Sequence, residues 1–402
     1  MVEQEGWVES LAKEIREETI KCWNCNFCYS TCPLYKSMRG FMINGPSGLA
    51  QSIYYGLHWD LLGKELRESI INILYSCTTC NSCVLTCKDI SAGIPVLEII
   101  ERGRKLLLEM GLGPSPAHKE VLESLNKYGN PYGKPASKRL DWLKDLEKEE
   151  KLTYKIVPSA HQTDVLLFVG CTASFEEDLQ KVAKAVVLLL ERSKANYGIL
   201  KEEKCCGSPA RQIGDEGLFN DLSEAVMGSI FESKVRQIVT ISPHCYNSFK
   251  TEYPESFRKI KIQHYTEFFS DMVENGMLSP KRKIEKTVTF HDPCYLGKRN
   301  EIYDAPRKII SRIPGIKLAE MKSNKRDSLC CGGGGGRMWI EVDEVQRISH
   351  LRLEEALNTK ADIIVTACPW CYTQMKDAIK ATDNENRIEV KDVSEILLTS
   401  VS

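Results

Sequence analysis

Apolar residues recur every three to four positions from Leu61 to Leu74 and again from Val96 to Met110. That spacing places them on one face of a helix. From residue 113 to 160 the pattern breaks. Pro114, Pro116, Pro131, Pro135 and Pro158 punctuate the stretch with Gly113, Gly129 and Gly133, and charge crowds in from Asp141 to Lys151. This reads as a solvated connection with one short helix. Beyond it the period changes. Short apolar runs at Asp164–Gly170, Gly198–Leu200 and Gln237–Ile241 alternate with helical stretches over about Glu176–Arg192 and Asp215–Val235. The same order then returns. Runs at Thr287–Phe290, Ile316–Met321 and Ala361–Thr366 alternate with helical stretches over about Ala305–Ile313 and Val342–Leu357. Strands separated by helices predict parallel sheets in an α/β layering. The chain is therefore expected to be α+β and multidomain. A helical N-terminal domain spans 1–112, the connection 113–160, and two pseudo-symmetric α/β domains 161–280 and 281–402.

Composition narrows the functions open to this fold. The 402 residues carry 54 Lys+Arg against 55 Asp+Glu, a net charge of −1. That balance gives no electrostatic case for nucleic acid or an acidic lipid surface. The longest aliphatic run, Ala185 to Leu190, is far short of a membrane span. The opening residues are acidic and carry no apolar region, so no secretory signal is expected and the reading is cytoplasmic. The 17 cysteines are the abnormal feature. An odd count without a signal argues against a disulfide framework.

The cysteines are clustered. Cys22, Cys25, Cys28 and Cys32 form one run, and Cys77, Cys80, Cys83 and Cys87 repeat its Cys-x2-Cys-x2-Cys-x3-Cys spacing. Thiolates are soft ligands that suit iron–sulfur clusters or zinc. Structural zinc usually takes two separated cysteine pairs, so two matched four-cysteine runs favour clusters. The spacing is that of bacterial ferredoxins, where the fourth cysteine of each run ligates the other cluster. On that resemblance one [4Fe-4S] cubane takes Cys22, Cys25, Cys28 and Cys87. The other takes Cys77, Cys80, Cys83 and Cys32. With 44 residues between Cys32 and Cys77 the insertion is too long for a minimal ferredoxin. The region looks like the helical two-cluster ferredoxin modules of succinate dehydrogenase and heterodisulfide reductase.

The other nine cysteines follow the repeat. Cys171, the pair Cys205–Cys206 and Cys245 mark the first copy. Cys294, the pair Cys330–Cys331, Cys368 and Cys371 mark the second. From single cysteine to pair is 34 residues in one copy and 36 in the other, and from pair to closing cysteine 39 and 40. Cys171, Cys245, Cys294 and Cys371 lie just past expected strand ends, where open α/β sheets build their sites.

The second copy carries a complete CCG cysteine-rich motif. Two such domains behind a ferredoxin pair resemble the D-type iron–sulfur component of heterodisulfide reductase over nearly the whole chain. The layout is also similar to the iron–sulfur subunits of glycolate and lactate oxidases, and to that of the membrane complex serving dissimilatory sulfite reduction. The resemblance implies a non-cubane [4Fe-4S] cluster at Cys294, Cys330, Cys331, Cys368 and Cys371, where a disulfide is cleaved to two thiols. It implies a membrane cytochrome b-type subunit or a soluble flavoprotein as electron partner. It also allows a peripheral place on the cytoplasmic face of a membrane through such a partner. The alternative is a pure electron-transfer subunit linking a flavin-dependent 2-hydroxy acid dehydrogenase to quinone. Ser242 stands where the first copy should have a cysteine, so Cys171, Cys205, Cys206 and Cys245 are left to hold a cubane, to form a damaged site or to hold no cluster, and no non-cubane cluster is expected there.

Several other residues are candidates. The run Gly332–Gly336 lets main-chain amides approach cluster sulfurs, and no Gly-Lys-Ser/Thr follows to make it a phosphate loop. His244 and His291 flank motif cysteines and are candidate proton donors. Asp292 is expected to hold His291 or to cap a helix. Trp370 and Tyr372 are expected to shield the cluster. Arg211 and Arg337, at matching places after the two pairs, are candidates for neutralising charge. His58, His118 and His350 offer no usable context.

Overall fold

The computed structural model describes residues 2–56, 64–158, 163–343 and 347–401. The chain divides into two compact units. One comprises Met1–Glu123 with Pro209–Leu218 and Leu329–Arg352, and the other Ser124–Ser208, Phe219–Ser328 and Leu353–Ser402. The segments that join the N-terminal unit are equivalent in the repeat: each follows its cysteine pair or contains it.

The N-terminal unit is helical. Its main helices are Val2–Thr19, Pro46–Gly56, Lys64–Tyr75 and Val96–Glu109. The expected helix from Leu61 is seen from Lys64, and residues 61–63 lie outside the described residues, as does His58. The helix Val96–Glu109 buries Val96, Leu97, Ile99, Ile100, Gly103, Leu106 and Leu107 on one side, the stripe its periodicity predicts. Gly103 permits close packing: a Cβ there would lie 2.6 Å from Ile53 Cδ1.

The second unit holds two parallel sheets. The first contains β1 (Lys155–Val157), β2 (Val165–Phe168), β3 (Tyr197–Leu200), β4 (Gln237–Thr240) and β5 (Lys261–His264), in the order β1-β3-β2-β4-β5. The second contains β6 (Thr287–Phe290), β7 (Lys317–Leu318), β8 (Ile363–Thr366) and β9 (Glu389–Asp392), in the order β7-β6-β8-β9. The shared order makes the internal repeat a repeat of topology. β2 and β8 are buried at every position, as strands covered by helices on both faces must be.

Three expectations need correction. The stretch 113–160 is more than a solvated connection, with helices Pro116–Tyr128 and Asp141–Glu149 and the edge strand β1. Its charge belongs to an amphipathic helix that buries Trp142, Leu143 and Leu146. Each sheet also gains a last strand, β5 and β9, beyond the predicted runs. Their alternating exposed and buried positions are weak signals in four residues. The helix expected from Val342 is seen as Ile348–Asn358, with residues 344–346 outside the described residues. Among the described residues no helix is long and apolar enough to cross a membrane.

Candidate metal centres

The matched spacing of the two N-terminal runs produces matched backbone. Asn24 and Asn26 in the first loop, and Thr79 and Asn81 in the second, all have positive φ, at 52°, 61°, 51° and 70°. These occupy the same two places relative to the first cysteine of each run. Left-handed residues on either side of the second cysteine curl the loop so that its thiols converge. Asparagine tolerates this region, whereas β-branched Thr79 is held there at a cost. The fourth cysteine of each run sits differently. Cys32 caps the short helix Pro33–Ser37, with Tyr35 N donating to its Sγ at 3.5 Å. Cys87 lies in the helix Ser82–Ile90 and accepts from Ile94 N at 3.2 Å.

The eight thiols gather crosswise. One cavity is lined by Cys22, Cys25, Cys28 and Cys87, with Trp23 and Phe27 at its edge. A second is lined by Cys32, Cys77, Cys80 and Cys83 among Leu34, Leu49, Leu97 and Ile100. Each takes three thiols from one run and the fourth from the other. Burial pushes the Cys28 thiol up to about 11, and the neighbouring Cys22, Cys87 and Cys25 add to it. Burial, then Cys77, Cys80 and Cys32, push the Cys83 thiol well above its ordinary value. Four thiols crowded in one cavity, two of them buried in each case, are costly as thiolates unless a cation holds them. The donor set therefore fits a cluster whose iron supplies that charge, and the pairing is the one the ferredoxin resemblance implies.

The second loop is enclosed by distant chain. A Cβ on Gly335 would lie 2.0 Å from the Cys77 carbonyl, and one on Gly334 2.4 Å from the Thr78 carbonyl. The glycine run is thus needed where backbone lies against backbone of the second loop. One of its amides, Gly332 N, donates to Cys330 Sγ at 3.3 Å. Arg104 is fully buried and donates to the carbonyls of Leu74, Cys77, Gln212 and Gly335 at 2.7–3.2 Å. His118, without context in the sequence, is also fully buried. Its Nε2–H donates to the Gly336 carbonyl at 3.0 Å, and Nδ1 accepts from Ser115 Oγ at 3.1 Å. Arg337 donates to the Ser76 carbonyl at 3.0 Å. Its counterpart Arg211 instead sits half-exposed, 4.0 Å from Glu216, so the matching places carry different contacts.

In the first CCG motif all four thiols are buried. Cys171 follows β2 through Gly170, whose φ of 79° turns the chain into the helix Cys171–Phe175. The four thiols form a chain of contacts, Cys171 to Cys205 to Cys206 to Cys245. Arg139 Nη2 donates to Cys171 Sγ at 3.1 Å and Nη1 to Glu203 at 2.7 Å. Glu203 also accepts from Val169 N and Gly170 N, both at 2.8 Å. Burial pushes the Cys171 thiol up, but the bond from Cys205 and the Arg139 guanidinium outweigh it and hold it below its ordinary value. Sequence reading missed Arg139 and Glu203; the signal was a carboxylate two residues before the cysteine pair. Ser242 is committed elsewhere, its hydroxyl accepting from His244 N at 3.3 Å as the cap of the helix Pro243–Asn247.

In the second motif, Cys294, Cys368 and Cys371 are buried in the α/β unit, while Cys330 and Cys331 belong to a segment of the N-terminal unit. Cys368 follows β8 and precedes the helix Pro369–Ala381, with proline at the position a helix start favours. A ring nitrogen of buried His291 lies within 4.8 Å of Cys371 Sγ. His244 is stacked between Tyr295 and Trp370, with ring centroids 3.9 Å away on each side. Burial, then Arg299, hold it neutral. Asp292, expected to hold His291 or to cap a helix, forms a two-pronged ion pair with Arg307 at 2.7 and 2.9 Å and accepts from Lys325 N. Trp370 Nε1 donates to Thr172 Oγ1 at 3.0 Å, and Tyr372 lies under Lys181.

A 4Fe-4S dicluster domain matches residues 18–89, and a cysteine-rich domain matches twice, over 165–250 and 288–376. The probable iron-sulfur-binding oxidoreductase FadF of Bacillus subtilis is 36% identical over 85% of this chain and 48% of its own length. The EtfAB:quinone oxidoreductase of Syntrophomonas wolfei is 30% identical over 98% of this chain and 59% of its own. The D-type component of the dihydromethanophenazine:CoB--CoM heterodisulfide reductase of Methanosarcina barkeri is 29% identical over 94% of this chain and 92% of its own. The chain thus spans only about half of the first two relatives and nearly all of the third. A crystal structure of a hypothetical protein from Helicobacter pylori aligns with a TM-score of 0.54 at 12% identity, over 89% of this chain and 68% of that one, a likeness of fold alone. The chain thus carries a 4Fe-4S dicluster domain followed by two cysteine-rich domains, and along most of its length it is similar to the D-type component of heterodisulfide reductase.

Proposed function

We propose that the chain is the iron–sulfur subunit of an oxidoreductase complex that reduces a disulfide. Residues 1–112 carry two [4Fe-4S] cubanes, one on Cys22, Cys25, Cys28 and Cys87 and one on Cys32, Cys77, Cys80 and Cys83. Residues 281–402 carry a non-cubane [4Fe-4S] cluster on Cys294, Cys330, Cys331, Cys368 and Cys371. Residues 161–280 hold the incomplete motif, without a non-cubane cluster. Bound there, the clusters supply one-electron transfer and, at the non-cubane site, the place where sulfur bonds are made and broken. The observation that carries the reading is the pair of cavities, each lined by four thiols drawn from both runs.

The chain's own residues divide the remaining work. Opening a disulfide to two thiols consumes two electrons and two protons. His291 is the proton donor in this reading, since it is buried and its ring reaches Cys371. His244, stacked and neutral, excludes water together with Trp370 and Tyr295. The substrate class is the CoB–CoM heterodisulfide or a related thiol/disulfide. Electrons arrive from a cytochrome b-type or flavoprotein partner, with the chain cytoplasmic and held at the membrane only through that partner.

A second reading is favoured by two of the relatives' names, FadF and EtfAB:quinone oxidoreductase. In it the chain passes electrons from a flavoprotein towards quinone and performs no thiol chemistry. Electron paramagnetic resonance of the oxidised, iron-replete protein with and without coenzyme M separates the two. A paramagnetic signal that appears only with thiol, and is lost in Cys331→Ser, supports disulfide chemistry. Ordinary reduced-cubane signals alone, unchanged by thiol, sink it in favour of the second reading.

A further inference from the structure

Arg104 is a buried cation whose hydrogen bonds all end on main-chain carbonyls. No carboxylate pairs with it among the described residues. Burying a guanidinium without a counter-charge is expensive, and arginine keeps its proton even so. Two of its bonds end on Leu74 and one on Cys77, so its charge sits against the second loop. Arg337, also buried, lies on the neighbouring carbonyl of Ser76. Neither cavity is lined by a charged residue, and the difference lies in the backbone: among the described residues no arginine donates to a carbonyl of the first loop as Arg104 does to Cys77.

We infer that Arg104, seconded by Arg337, is the counter-charge of the cluster on Cys32, Cys77, Cys80 and Cys83 and selectively raises that cluster's reduction potential. A cubane with four thiolate ligands is anionic, and more so by one charge when reduced. A fixed nearby cation therefore favours the reduced state, and it acts most strongly where water is excluded. Without it, enclosure would make the inner cluster harder to reduce than the outer one. Arg104 is a positioning residue in this role; it also ties four chain segments together. The inference rests on the proposed cubanes being present.

The test is a potentiometric titration of the reconstituted full chain, followed by electron paramagnetic resonance, with iron and sulfide assayed on every sample. Arg104→Gln is expected to lower one of the two cubane waves and leave the other in place. The reduced-to-oxidised ratio of the affected cluster should fall about tenfold at fixed potential, a displacement of about 59 mV for one electron. Arg104→Lys, which keeps the charge, is expected to restore most of the shift. Movement of both waves together, or of neither, at wild-type iron content overturns the inference. Should Arg104→Gln fail to retain iron, Arg337→Gln carries the test, and an unmoved pair of waves in that variant overturns it equally. A wild-type protein without iron and sulfide would instead remove the functional reading beneath it.

Discussion

The two four-cysteine loops share spacing and backbone but live in different surroundings. In the first, Cys25 is exposed, and Trp23 and Phe27 stand 74% and 53% exposed at the edge of the cavity. In the second, Cys80 is buried, leucine and isoleucine line the cavity, and the glycine run and Arg104 press on the backbone. A motif therefore dictates how thiols converge, while water access and local charge come from whatever the rest of the chain lays against it. Those two variables would set the potential of a cluster bound at each loop.

The comparison breaks most decisively at a ligand. Cys83→Ala is expected to cost one whole cluster while the signal of the other persists. Iron and sulfide assay with electron paramagnetic resonance reads this, and loss of both clusters would show that the loops are not separable. Next comes a matched glycine pair. Gly335 has a φ of 65° and would place a Cβ 2.0 Å from the Cys77 carbonyl, whereas Gly93, beyond the second run at a φ of 70°, has nothing within 4 Å. Gly335→Ala should cost roughly 3 kcal/mol or more, and Gly93→Ala only about 1 kcal/mol, in denaturant unfolding. Equal costs would deny that the glycine run encloses the second loop tightly.

A smaller effect is expected from pH. Burial pulls His118 down from 6.5 to about 4; its bond to the Gly336 carbonyl opposes this, and the Arg104 charge adds to it. Tyr75 packs on the ring and brings no charge near neutrality. The folded pKa is below the unfolded one, so the unfolded chain takes the proton first. The contribution is complete above pH 6.5 and is lost as pH falls towards 4, by roughly 2–3 kcal/mol. Thermal unfolding across that range should show His118→Gln less sensitive to acid than wild type; parallel slopes would refute it. The smallest change transplants one loop's residue into the other. Asn24→Thr puts the second loop's β-branched residue at the left-handed position of the first. It should cost about 1 kcal/mol, because no enclosing chain holds threonine there. An unchanged unfolding midpoint would mean that the loops impose their backbone unaided.

Much of the site was readable because cysteine spacing is a local quantity. Three thiols within seven residues can meet only on a tight loop, and the positive φ at Asn24, Asn26, Thr79 and Asn81 belongs to that turn in both runs. The parallel order of both sheets followed from runs such as Val165–Phe168 and Ile363–Thr366, whose buried positions are continuous in sequence. Other features left no comparable trace. The stretch 113–160 looked solvated because its charges outnumber the three apolar residues that anchor one helix. Arg139 and Glu203 lie 64 residues apart in sequence, yet they meet beside Cys171 with both side chains almost fully buried. Asp292 beside His291 suggested a partnership that Arg307 claims instead.

The sequence alone thus determined that eight thiols fall in two matched runs, that the α/β half is duplicated, and that the second copy keeps the fuller cysteine set. Each of these depends on spacing or periodicity over tens of residues. Only the tertiary structure decided what surrounds the thiols. The carbonyls that hold Arg104 come from chain as far as 231 residues away in sequence, and the glycines that let residue 335 lie on Cys77 matter only once those segments meet. Burial and charge at a point in space are sums over everything packed there, so no local stretch of sequence can contain them.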